Sequence, residues 1–346
     1  HFGKYGYNKN DKTFKIQDED FSMSHLTLKD VSREAGVSVA LASAVLNRAN
    51  SRIRASRETA RQIREVADRL GYIPNSNARG LKMSRSFLIG VVAYAIDTSF
   101  VPAILEGCED FFLNNDYGML LATYKDLEKL TVHLETFRRR SIDGLIIIPG
   151  QGRGLPERLQ AFTEIPKVFV GAGFHLPNSV SVLTDITAIA RIAVTEFVKR
   201  RHRVIAYLHN NGTGKIEAWR NSLIQAGLNP MPELEVYTKN WFDEGYVRVH
   251  KLLTENPLVT ALFADSDTVG AAAIRVAHEM KRKLAVIGVD DSPYCRMLTP
   301  ELASIAVPKR EHGSIAAQQL VLLLDGKEAQ NIILQPEFRC RASVDS

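Results

Sequence analysis

Residues 27–47 read Thr27-Leu28-Lys29-Asp30-Val31-Ser32-Arg33-Glu34-Ala35-Gly36-Val37-Ser38-Val39-Ala40-Leu41-Ala42-Ser43-Ala44-Val45-Leu46-Asn47. Two short apolar-periodic runs flank a Gly-Val-Ser turn. Thr27 stands where an N-cap belongs, and Leu28, Val31 and Ala35 share one face of the helix it opens. Gly36 supplies the turn, Val37 points inward, and Ser38 is placed to cap a second helix. The buried stripe of that helix is Leu41 or Ala42, then Val45 and Leu46. Two short helices joined through a Gly-containing turn make a helix-turn-helix, whose second helix offers its N-terminal residues to the major groove. A Gly-Val-Ser turn alone also suits an ordinary helical hairpin, so its surroundings decide.

Ser56 caps a third helix, with Ala60, Ile63, Val66, Ala67 and Leu70 at helical spacing and Gly71 at its end. Pro74 and the polar Asn75-Ser76-Asn77 read as a linker, and residues 78–82 as one more short helical turn. Residues 25–85 hold twelve Lys/Arg against five Asp/Glu, whereas residues 1–24 sum to zero and residues 86–346 are slightly acidic. The whole chain carries only +5, so its positive charge is concentrated in one stretch. Such a stretch is the footprint of a phosphate-binding module. On charge alone, a solvated basic face with no partner fits equally well.

At 346 residues the chain suits two or three domains, and its 45% hydrophobic and 24% charged content is that of a globular protein. No apolar run approaches the roughly 20 residues that span a bilayer, and no charged-then-apolar segment opens the chain. Residues 1–24 are read as a tail, or as residues added to the natural chain, without stable structure. Cys108, Cys295 and Cys340 are odd in number and far apart, which fits neither a disulfide framework nor zinc spacing and points to a reducing cytoplasm.

From Phe87 onward, short apolar runs alternate with amphipathic segments. The expected strands are 88–93, 119–123, 144–148, 167–170, 204–208, 261–264 and 284–289, with helices over 102–114, 187–200, 215–226 and 268–280 among others. A further helix is expected over 308–324 and a last strand over 332–338. Continuous apolar strands between helices imply parallel sheets covered on both faces, and there are enough of them for two.

Enzyme signatures are lacking. Gly150-x-Gly152-x-Gly154 has the wrong spacing for a dinucleotide fingerprint, and Asn211-Gly212-Thr213-Gly214-Lys215 lacks the first Gly and the Ser/Thr of a phosphate loop. The nine histidines are scattered, and no Gly-x-Ser-x-Gly elbow occurs. The chain is therefore expected to be no enzyme, with no cofactor and no metal.

Gly71-Tyr72-Ile73-Pro74-Asn75 and Ala78-Arg79-x-Leu81-Lys82 follow the third helix in tight order. With the helix-turn-helix they resemble the lactose/galactose repressor (LacI/GalR) family of bacterial regulators, over nearly all the chain from Leu26. Later stretches that carry the resemblance are residues 143–148, 287–291, 300–305 and 339–343. It implies a helix-turn-helix DNA-binding head (25–73), a hinge (74–85) and a two-lobed effector and dimerisation domain (86–346) built like periplasmic sugar-binding proteins, the chain crossing between lobes three times. It implies a homodimer on double-stranded operator DNA, with a small polar effector, a sugar among the candidates, and no membrane.

The resemblance places Val39, Ala40 and Ala44 at base-reading positions and Thr27, Ser38, Ser43 and Asn47 toward phosphates. Leu81 matches the leucine that wedges into the minor groove, flanked by Asn77, Ala78, Arg79 and Lys82. The base-reading positions here are small and apolar. They can pack on thymine methyls but lack bidentate hydrogen bonds, each worth roughly 1–3 kcal/mol of discrimination. Specificity is then expected to lean on DNA deformability.

In the effector domain the resemblance assigns Asp290 as a ligand-gripping acid, Lys215 at a clamping position held by Arg in relatives, and Trp219 on the helix that Lys215 opens. Ser266, Phe100 and Phe263 match further ligand-facing positions, and Asp185 a hinge-side acid. Two departures weaken a hexose grip: Lys215 replaces a planar fork by a point charge, and Gly171 stands where many relatives have an acid. A regulator with no small effector, one with a protein co-regulator, and a transport or chemotaxis receptor sharing the binding fold remain alternatives.

Overall fold

The computed structural model describes residues 26–46, 53–73, 85–94, 96, 100–150, 154–210, 214–239 and 241–345. They fall into two compact units, divided between Met83 and Ser84.

The first unit holds α1 (Leu28–Glu34), α2 (Val39–Leu46) and α3 (Arg57–Leu70). Val31, Ala35, Ala42, Ile63, Val66 and Ala67 form its core, with Leu28, Val37, Leu41, Val45 and Leu70 packed around it. Between Leu41 and Ala42, it is Ala42 that is fully buried. Gly36 sits at φ +64, which a side chain adopts only with strain, so the turn needs glycine. The Ser38 hydroxyl accepts from the Leu41 N–H at 3.2 Å, and Ser56 caps α3 by accepting from the Thr59 N–H at 3.1 Å. Arg69 ties α3 to α1 through Glu34 at 2.8 Å.

The second unit contains two six-stranded sheets. The first runs β11-β5-β4-β3-β1-β2, with β1 (Leu88–Ala93), β2 (Gly118–Thr123), β3 (Gly144–Ile148), β4 (Lys167–Val170), β5 (Ser179–Thr184) and β11 (Ile332–Leu334). The second runs β12-β10-β9-β8-β6-β7, with β6 (Ile205–His209), β7 (Glu235–Tyr237), β8 (Ala261–Ala264), β9 (Ala285–Val289), β10 (Ala303–Ala306) and β12 (Glu337–Arg339). Among the described residues, every strand pairing is parallel except that of β10 with β12. Central strands such as β3 and β9 are buried along their whole length, as expected where helices cover both faces.

The strand expected over 332–338 is two strands in different sheets. Pro336 separates them, and the chain passes there from one lobe to the other. The other passages lie at Asp185, between β5 and α7 (Ile186–Lys199), and at Val307–Pro308, between β10 and α11 (Lys309–Leu324). Hydrogen bonds knit the three together. The Asp185 N–H donates to the Leu334 carbonyl at 3.0 Å, and Gln335 donates to the Asp185 carboxylate at 3.4 Å. His312, wholly buried, joins the remaining pair: one ring nitrogen lies 2.9 Å from the Pro308 carbonyl and the other 3.1 Å from the Thr184 hydroxyl. Burial pushes its pKa down, and because the Pro308 carbonyl can only accept, the ring nitrogen facing it is the donor.

The family-like closing stretches have structural work at the second lobe. Arg341 pairs with Asp291 at 2.5 Å and donates to the Leu302 carbonyl, while the buried Ser343 hydroxyl links β9 to β10 through the Val286 carbonyl and the Ala303 N–H. In the first lobe, α11 crosses α4 (Val101–Asn114) at Gly107 and Gly313. A Cβ on either glycine would stand 2.0 Å from a backbone oxygen of the other helix.

Candidate nucleic-acid interface and effector cleft

On the head, Thr27, Ser38, Val39 and Ala40 are exposed, and Ser43 and Ala44 are half-buried. Positions 39, 40, 43 and 44 recur at helical spacing, so α2 turns one small-residue face outward opposite Ala42. Thr27 is committed locally: its N–H and hydroxyl donate to the Asp30 carboxylate at 3.0 and 2.7 Å, which holds Asp30 below the usual carboxylate range. Asn47, Asn77, Ala78, Arg79, Leu81 and Lys82 lie outside the described residues.

The described arginines of this stretch divide into paired and unpaired. Arg33 pairs with Asp30, Arg61 with Glu58 and Glu65, and Arg69 with Glu34. Arg85 belongs to the second unit, where it reaches Asp325 at 3.0 Å and the Leu324 carbonyl. Among the described residues, Arg54, Arg57 and Arg64 are exposed without an ion-pair partner and remain available to phosphate.

In the second unit, strand C-terminal ends converge on a cavity of about 30 Å³ lined by Ile186, Ile189, Ala190, Tyr207, Lys215, Phe263, Asp265 and Val289. Lys215 and Phe263 thus meet as expected. Lys215 is held by Asp265 at 3.0 Å and by the Asn210 side-chain oxygen at 3.3 Å. Phe263 lies in a ring stack with Tyr207 (5.1 Å, 15°) and Trp219 (5.5 Å, 20°). Trp219 is 1% exposed and does not line the cavity; it backs Phe263 from behind.

Asp290 follows β9 with its carboxyl pushed up to about 6, chiefly by burial and then by Asp267, with Lys309 and Lys215 opposing. Ser266 caps α10 (Asp267–Glu279) through the Val269 N–H, and Asp185 caps α7 through the Ala188 N–H at 2.9 Å. Phe100, ahead of α4, packs against the cores of both lobes. A larger open groove of about 570 Å³ runs along the exposed face of α8 (Lys215–Gln225), but none of these expected residues lines it.

Tyr207, Asp265 and Trp241 are among the residues that went unassigned in the sequence. Asp265 ends its strand just as Asp290 does, and the same strand-end rule would have flagged it. Trp241, 69% exposed, is the N-cap residue of α9 (Phe242–Glu255), after a strand too short for periodicity to reveal.

Residues 27–75 match the family model described as bacterial regulatory proteins, lacI family, and residues 194–344 match the periplasmic binding protein-like domain. The chain belongs to the lacI family. Members are DNA-binding transcription factors rather than enzymes. This lacI-family protein is similar to the ribose operon repressor of Haemophilus influenzae, 26% identical over 332 residues, covering 92% of this chain and 99% of the relative. It is similar to catabolite control protein A of Priestia megaterium, 27% identical, covering 91% and 97%. Among solved structures, a complex of the regulator CelR with cellobiose is 25% identical with a TM-score of 0.69, covering 92% and 99%. The lac repressor dimer bound to operator is 23% identical with a TM-score of 0.78, at the same coverage, and shows the shared fold. No helix among the described residues is long and apolar enough to cross a membrane.

Proposed function

We propose that this lacI-family protein is a cytoplasmic repressor that binds a near-palindromic operator as a homodimer, with a small polar effector taken in the cleft of residues 86–346. The observation that carries the reading is the outward face of α2: Val39, Ala40, Ser43 and Ala44 on one side of a helix capped by Ser38, within a stretch whose Arg54, Arg57 and Arg64 are unpaired among the described residues. A face this small approaches the groove floor closely and sorts bases by contact with thymine methyls. Residues 25–73 act as the reader and 74–85 as a hinge that orders on DNA. The glycine at position 80 lowers helix propensity there by about 1 kcal/mol against alanine. Leu81 supplies the wedge that bends the duplex. Support for a dimer on operator, and for a sugar-like ligand, comes from the lac repressor and CelR complexes.

In the effector domain Lys215, Phe263 and Asp290 face the ligand, Trp219 and Ser266 support them, Asp185 lies at a passage between lobes, and Phe100 packs on the cores of both. Ligand shifts the population of lobe arrangements and so the DNA affinity. A second reading, a regulator without a small effector, is favoured by the cavity of about 30 Å³, room for about one water.

The test is Leu81→Ala in the full chain, with operator affinity measured at fixed salt and dimerisation by sedimentation. Affinity is expected to fall strongly with dimerisation intact; unchanged affinity removes the wedge. Footprinting on genomic DNA with and without sugars and metabolites separates the two effector readings. A wild-type protein with no preference for duplex DNA at low ionic strength overturns the whole proposal.

A further inference from the structure

The polar floor of the small second-lobe cavity is a carboxylate held by three donors. Asp265, its side chain 3% exposed, accepts from the Tyr207 hydroxyl at 2.9 Å, the Asn210 N–H at 3.2 Å and the Lys215 ammonium at 3.0 Å. A cation, a phenol and a backbone amide converging on one place make an anion cradle. Here the chain supplies the anion itself.

Asp265 is not free to withdraw. Its N–H donates to the Leu208 carbonyl at 2.9 Å, and the next residue, Ser266, caps α10. Its neighbourhood is also rich in acid. Asp290 and the buried Asp267 lie near enough for charge to be felt, against the cations Lys215 and Lys309, and the Lys309 ammonium donates to the Asp290 carbonyl. An incoming anion would meet a cradle already filled and like charges beside it, in surroundings that screen them weakly. Two of the three Lys215 ammonium hydrogens go to Asp265 and Asn210, and with the side chain 28% exposed the third is left for a neutral oxygen, while the Phe263 and Tyr207 rings supply an apolar wall.

We propose that Asp265 is the built-in counter-ion of this pocket and sets its charge selectivity: the effector carries no formal negative charge, and phosphorylated or carboxylated analogues are rejected. This rests on the effector-cleft reading above. It makes Asp265 a specificity determinant acting through Lys215.

The experiment uses the full chain and sodium formate, the smallest carboxylate, as the probe. Asp265→Ala is expected to unfold at a lower temperature than wild type. Formate should recover at least half of that loss, saturably, while sodium chloride of equal ionic strength recovers none. Adding Lys215→Met should abolish the rescue, and wild type should not respond. Formate stabilising wild type through Lys215, or a folded Asp265→Ala indifferent to formate, overturns the proposal. Asp265→Asn keeps the side chain's size and covers an alanine variant that fails to fold. It should bind glucose 6-phosphate at least about tenfold tighter than wild type by calorimetry, about 1.4 kcal/mol; equal affinity overturns the proposal. Operator titrations with and without glucose and glucose 6-phosphate separate the underlying reading. If no small molecule alters DNA affinity while formate rescue holds, the effector reading fails and the counter-ion stands.

Discussion

The Phe100 ring occupies the space that a side chain at position 171 would need. A Cβ on Gly171 would stand 3.1 Å from the Cε1 and Cζ atoms of Phe100, and the Gly171 backbone sits at φ +81. Phe100 in turn rests on the cores of both lobes and lies edge-on to His312 at 6.3 Å. A side chain at 171 would therefore crowd this ring by a few tenths of an ångström, which, together with the left-handed backbone, gives a physical reason for glycine there.

Gly171→Asp is expected to destabilise the effector unit by about 2 kcal/mol, from left-handed backbone strain and crowding of the ring. Combining it with Phe100→Ala should relieve the crowding but not the strain, so the two changes are non-additive. Urea denaturation followed by near-ultraviolet circular dichroism measures both. An unchanged midpoint for Gly171→Asp would show that the pair does not constrain each other.

Asp290 makes stability depend on pH in an unusual sense for an acid. Its folded-state pKa, about 6, lies above the ordinary 3.8, so the folded protein holds the proton more tightly than the unfolded chain. The contribution is thus favourable at low pH and is lost as pH rises from about 4 through about 6. A tenfold difference in proton affinity is worth about 1.4 kcal/mol, so the change reaches up to about 3 kcal/mol. His209 and His312, whose pKa values burial lowers, slope the opposite way. The comparison is therefore between wild type and Asp290→Asn. Between pH 4 and pH 7 the stability difference should move in favour of the variant; parallel pH curves would remove the argument.

Free and neutralised arginines of the head should differ on DNA. Arg57, in the first turn of α3, has no ion-pair partner among the described residues, whereas Arg61 lies 2.6 Å from Glu58 and 3.2 Å from Glu65. Arg57→Ala is expected to lessen the slope of log affinity against log salt by about one and weaken all duplex sequences alike. Arg61→Ala should leave that slope nearly unchanged. Fluorescence anisotropy over a salt series decides, and equal slopes for wild type and Arg57→Ala would place Arg57 away from phosphate.

Local signals made the head readable. Gly36, Ser38, Ser56 and Gly71 mark turns and caps through their own backbone chemistry, and each stands where its type demands. The long buried strands were readable for a related reason, since a run such as 144–148 is apolar on both faces. Short edge strands were not. Residues 235–237 and 337–339 carry too few side chains to set a period, and 332–338 looked continuous because two sheets happen to share adjacent segments.

By itself the order of residues determined the three-helix head, the concentration of positive charge on residues 25–85 and the alternation of strand with helix. Each follows from neighbours a few positions apart, whose spacing is already written along the chain. Only the tertiary structure decided that Asp265 neutralises Lys215 across 50 residues, that Arg85 is committed to Asp325, and that Phe100 fills the place beside Gly171. Such pairings depend on which strand ends meet and which side chains lose water together, and no local pattern carries that information.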